Sequence, residues 1–170
     1  MSQVALLREQ IQQAHHTWTM TVGDVTNEVA HWQPAGTAHN VGARYVHALV
    51  AEDNLIAMLK GSPPLHATTF KGSTGASDPQ QITTPEWAKA LKVDLPKLNE
   101  YAKAVYDQTD KYLASLKDED LERTIDLTQF GFGVVNLRFY LSRLIVAHAY
   151  EVAGEVYAVK GLQGLRGSPY

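Results

Sequence analysis

The sequence predicts an all-α fold: an antiparallel four-helix bundle with one long irregular loop and a short extra helix. Three observations predict it. Four long stretches carry apolar residues at steps of three and four, none alternates convincingly as a strand, and capping residues stand near their ends.

The first helical pattern covers residues 2–29, with Val4, Leu7, Ile11, Ala14, Trp18, Val22 and Val25 on one face. "WQPAGT" ends it, because Pro34 and Gly36 favour a turn. The second pattern opens at Asn40, a strong N-cap, and closes at Gly61, which tolerates the left-handed backbone of a C-cap. Residues 62–84, rich in Pro, Gly, Ser and Thr, have no period. An aperiodic stretch of that length suits a lid, a binding loop or disorder. A short helix is expected at 85–91, with Thr84 as cap and Pro85 in its first position. Asp94 caps a third long helix to about Leu116, with Pro96 in its permissive first turn. "KDEDLERTIDL" reads as a connector with one further helical turn, and "TQFGFGVVN" as an aromatic loop interrupted by glycine. The fourth helix starts near Asn136 and stops at Lys160 and Gly161.

Composition narrows the function. At 170 residues the chain is expected to form one domain over 1–170. Its net charge of −3, without clustered Lys and Arg, gives no footprint for nucleic acid or an anionic membrane. The absence of cysteine excludes disulfides, thiolate metal sites and cysteine nucleophiles. "MSQVALLREQIQQ" lacks a signal-peptide pattern, and no apolar run reaches the ~20 residues of a membrane span. A cytoplasmic location is the expectation. The glycines of "QFGFG" carry no phosphate-loop signature, although Phe130 and Phe132 could line a pocket.

Polar residues interrupt two apolar stripes. On the fourth helix, Leu137, Leu141, Leu144, Ile145, Val152, Val156 and Val159 share a face. His148 and Glu155 fall near its centre, with Glu151 at its edge. Buried carboxylates and imidazoles need partners, ligands or neutralisation, so this placement is informative. The second helix is apolar almost all round, with Glu52 on its strongest stripe and His47 away from it. Such a helix is enclosed by protein, inside the bundle or at a homodimer contact. Of the neighbours His15 and His16, at most one faces the core.

"HWQPAGTAHNVGARYVHALVAEDNLIAMLKG" resembles the helix 1–2 segment of the DinB-like, or YfiT-like, metalloenzyme family. It shares the Trp-x-Pro turn, the amphipathic helix, a histidine (His47) and an acidic residue a turn later (Glu52). "LIVAHAYEVAGEVYAVKGLQG" resembles that family's last helix, which typically reads His-x-x-x-His-x-Gly-Glu/Gln-Ile. Phased on Gly154-Glu155-Val156, the first of those histidines is His148. The resemblance spans nearly the whole chain. It implies an antiparallel four-helix bundle, often dimeric, with a divalent metal held by three histidines between helices 2 and 4. His47 and His148 match two of those positions; Val152 stands at the third and cannot ligate a metal.

Two functional expectations emerge. The first is a bundle with a degenerate inter-helix histidine site and a small-molecule pocket, lacking a full three-histidine centre and binding no metal. Tyr45, Glu52, Val152 and Glu155 would surround that pocket. His148 would then be hydrogen-bonded to Tyr45, Glu52 or a carbonyl, and Glu155 paired with Arg44 or Arg138. The alternative, which the resemblance implies, is a zinc- or nickel-dependent enzyme of the thiol-dependent transferase/isomerase or hydrolase type. His47, His148 and Glu151 would hold the metal, Glu52 would orient a ligand, and a low-molecular-weight thiol would be the partner.

Overall fold

A computed structural model describes residues 2–170. Helix α1 (Gln3–Val22) is capped by Ser2, whose side chain accepts from the Ala5 amide. The continuous helix expected to residue 29 instead breaks at Gly23. Buried Lys160 takes the Thr21 carbonyl (2.8 Å) and the Asp24 carboxylate (2.6 Å), fixing the break. A short α2 (Asn27–His31) comes next, capped by Thr26. Helix α3 (Val41–Lys60) has the expected ends: Asn40 accepts from the Ala43 amide, and Gly61 sits at φ 63°. The Asn40 amide also donates to the Ala88 carbonyl, so the cap ties α3 to α4 (Pro85–Ala90). Helix α5 (Leu95–Ala114) starts at Asp94, and a 3-10 turn (Asp118–Glu122) succeeds it.

The sequence predicts no strand, yet β1 (Thr124–Leu127) and β2 (Gly133–Asn136) form an antiparallel hairpin. Leu127 enters the core, while Gly131 and Gly133 supply the positive φ values of the turn. The last long helix begins as α6 (Leu137–Phe139), widens into a π-helical segment (Tyr140–Ala147), and continues as α7 (His148–Leu162). A π segment adds a residue to the turn and shifts the phase of the helix beyond it.

Two apolar clusters fill the bundle. Leu7, Ile11, Ile56, Leu113 and Leu141 belong to one, and Trp18, Leu49, Leu98, Val105 and Val156 to the other. Their sequence order shows that α1 and the final helix run one way, while α3 and α5 run the other. The long connection between α3 and α5 makes this possible, since parallel neighbours require a crossover. Where the clusters meet, each long helix contributes a polar group: His15, Glu52 with Asp53, Thr109 and His148.

The connection over 61–94 is a strap tied to α3. Asp53, fully buried, accepts from the Leu65 and His66 amides, each at 2.9 Å, and from Tyr101 Oη at 2.8 Å. Asn54 meets His66 Nε2 at 2.9 Å and donates to the Gln81 side chain at 3.0 Å. At the far end, Trp87 donates to the Asp78 carbonyl, and Asp94 donates to the Gly75 carbonyl.

Candidate functional site

Helix α3 presents His47 and the final helix presents His148, and their Nε2 atoms lie 3.1 Å apart. The strap completes the pair: His47 Nδ1–H donates to the Gln81 carbonyl at 2.7 Å. A carbonyl can only accept, so the proton of neutral His47 sits on Nδ1 and its Nε2 carries the lone pair. His148 Nε2–H then donates to it, leaving His148 Nδ1 as an acceptor. Burial, with the nearby His148 and Arg44, pushes His47 down to about 4. Burial also lowers His148, while Glu151 opposes that shift. Both rings are therefore neutral at pH 7.

His148 lines a cleft of about 320 Å³. Leu55 and Met58 of α3, Leu144 of the π segment, and Leu127, Phe130 and Phe132 of the hairpin form its apolar walls. The π segment sets this wall: it carries Arg143 and Leu144 and ends at the residue before His148. Arg143 lies at the cleft beside Glu151, to which it donates at 3.0 Å. Behind His148 is a narrow gap bordered by Trp18, Glu52 and Tyr106.

The structure separates the expected site residues. Glu52 lines that gap, but its Oε1 accepts from His15 Nε2–H (2.8 Å) and from Thr109 (2.5 Å). Tyr45 faces α5, donating to Asn99 and stacking on Trp18. Glu151 lines the cleft with Arg143 as its partner. Glu155, expected near the centre of the buried stripe, is about half exposed and pairs with Arg44. Ala149 and Ala153 take the core-facing positions on α7 instead, alongside Val152 and Val156. His148 finds its partner in His47, not in Tyr45, Glu52 or a carbonyl. Sequence reasoning misses Gln81 and Arg143; one acts through a backbone carbonyl in an aperiodic loop, the other through a re-phased turn.

The donor set can be compared with that of a metal centre. Two imidazole nitrogens bound to one ion at ~2.0–2.1 Å lie roughly 3 Å apart, and a ligating histidine donates its other N–H to a carbonyl or carboxylate. His47 and His148 match that spacing, and His47 makes the supporting bond. The set stops there. Val152 is 4% exposed within the apolar core, and Glu151 is engaged by Arg143. Among the described residues no group of three His, Asp or Glu side chains is placed to hold an ion. The residues present therefore do not fit a three-ligand centre.

The family model described as the DinB superfamily matches residues 10–150. A conserved protein from Enterococcus faecalis has a similar solved structure, with 25% identity and a TM-score of 0.78. The match covers 96% of this chain and 99% of that one. A protein from Streptococcus pneumoniae shares the fold at 9% identity, with a TM-score of 0.63 over 97% of this chain and 92% of its own. No curated protein matches the sequence. No helix of the described residues is long and apolar enough to cross a membrane.

Proposed function

We propose, from the premise that the chain belongs to the DinB superfamily, that it is a small-molecule-binding bundle with a degenerate inter-helix histidine site. The observation that carries this reading is the cleft of about 320 Å³, lined by His148 and walled mostly by apolar side chains. Its volume is at the lower end of small-ligand sites, and its mix of apolar walls with few polar groups is typical of them. The His47–His148 hydrogen bond makes His148 a neutral polar contact in the cleft, beside the charged pair Arg143–Glu151.

The second reading is a divalent-metal-dependent enzyme of the thiol-dependent transferase/isomerase or hydrolase type. One specific observation favours it: the 3.1 Å Nε2 spacing, together with the His47 bond to the Gln81 carbonyl. Metal content separates the two. Untagged protein purified without chelator is measured by inductively coupled plasma mass spectrometry beside His148→Ala. The degenerate-site reading expects no stoichiometric zinc, nickel or manganese in either protein. About one ion per chain, lost in the variant, would favour the enzyme reading instead and make thiol-transfer assays the next measurement.

A homodimer, which the resemblance implies, and a cytoplasmic location belong to the same proposal. The apolar circumference of α3 is no argument for the dimer, because α2, α5 and α7 pack around α3 within one chain. Light scattering at micromolar concentration tests the dimer directly.

A further inference from the structure

Deepening the cleft reading, on which it rests, we propose that the ligand is an apolar molecule ending in a carboxylate, and that Arg143 holds that carboxylate. Two features of the cleft carry the argument.

The first is its division of labour. Leu55, Met58, Leu144, Phe130 and Phe132 give the cleft apolar walls, and Arg143, hydrogen-bonded to Glu151, lies near His148 on the same lining. The hairpin contributes the two phenylalanines, Phe130 and Phe132, which are 59% and 41% exposed. Apolar surface that remains open beside a formed cleft is what an apolar tail would cover.

The second is the balance of hydrogen-bonding capacity among the polar groups of the lining. A guanidinium has five N–H donors, and among the described residues Arg143 donates to Glu151 through one nitrogen. Gln81 also lines the cleft. Its side-chain oxygen accepts from Asn54 and its backbone carbonyl from His47, while its amide N–H₂ donates to no group among the described residues. Against these donors stand, among the described residues, two spare acceptors: the second oxygen of Glu151 and Nδ1 of His148. Unpaired donors outnumber acceptors, so the matching head group is an acceptor with two oxygens. Carboxylate meets guanidinium in a planar, bidentate arrangement, which is the strongest pairing open to Arg143. Glu151 repels an anion on its own side, so the head group belongs on the face of Arg143 turned away from it. Arg44 adds a second cation near His148, offset by its own partner Glu155.

The test uses three probes of one chain length and different head groups: octanoate, octan-1-ol and octylammonium, titrated into the full chain by isothermal titration calorimetry. Octanoate is expected to bind best. Arg143→Gln is expected to weaken octanoate about ten- to hundredfold, the range for a charge-assisted hydrogen bond, and to leave octan-1-ol within about twofold. Phe132→Ala, on an exposed hairpin tip, should weaken both. If octan-1-ol matches octanoate in the unaltered protein, the carboxylate assignment falls while the cleft reading stands. If octylammonium binds best, Glu151 sets the preference and the assignment is overturned. Binding by none of the three would overturn the cleft reading itself.

Discussion

Val152 concentrates the chemical question in one side chain. It is aliphatic, 4% exposed and packed with Ala153 and Val156, one helical turn beyond His148. A histidine there would join a pair whose Nε2 atoms already have the spacing of two ligands on one ion. Val152→His is therefore expected to convert the pair into a zinc- or nickel-binding site. Without metal it should lose about 1–3 kcal/mol, because a polar ring replaces a buried branched side chain. Thermal melts with and without zinc check this: a lower melting point alone, recovered on adding zinc, is the expected result. Unchanged melting with zinc would mean that the α3–α7 spacing, and not the missing ligand, prevents coordination. At this scale the sequence is partly legible. His47 and His148 are identifiable by resemblance, and Glu155 with Arg44 by charge. Gln81 is not, because its contribution is a backbone carbonyl whose identity no side-chain pattern encodes.

Among the elements, the strap over 61–94 has the least regular sequence and some of the most specific anchors. Asp53 receives two strap amides, Tyr101 Oη and the Gln108 amide while fully buried, which is near the capacity of a carboxylate. Asp53→Ala leaves those donors in a cavity without an acceptor. A loss of roughly 3–5 kcal/mol is expected, as for breaking one side of a buried charged network, and urea unfolding measures it. Because Gln81 reaches His47 from the same strap, amide exchange at 65–81 should rise in this variant even below the unfolding transition. Exchange confined to global unfolding would show that the strap holds without Asp53. The helices are legible because Asn40, Gly61, Thr84 and Asp94 carry their end signals in the residue itself. The hairpin is not: its strands are four residues each, and glycine-flanked aromatics read equally well as a loop. The π segment is also hidden, since a 100° wheel cannot register an extra residue per turn, and for that reason the wheel puts Glu155 inside.

For the molecule as a whole, the histidine pair between α3 and the final helix sets the first response to acid. His47 and His148 are held neutral by burial, whereas in the unfolded chain each takes up a proton near pH 6.5. A depressed native pKa stabilises the fold above the unfolded value. As pH falls from about 6.5 toward 4, the unfolded state binds protons that the native state refuses, so stability declines across that window. For His47 alone, a native value of about 4 corresponds to on the order of 3 kcal/mol lost by its lower end. Carboxylates titrate in a second, more acidic window. Asp110 is lowered by its bond from Arg8, and Asp118 by bonds from the Val4 and Gln3 amides. Their stabilisation is present above the ordinary carboxylate range and disappears below it. Urea unfolding between pH 8 and 3 should thus show a decline beginning near 6.5, well before the carboxylates titrate. His47→Gln retains a polar side chain without the titration and should flatten the upper window while leaving the acidic one in place. A profile flat down to pH 4 in the unaltered protein would mean that both imidazoles are as readily protonated folded as unfolded, and that the neutral His47–His148 pair does not exist.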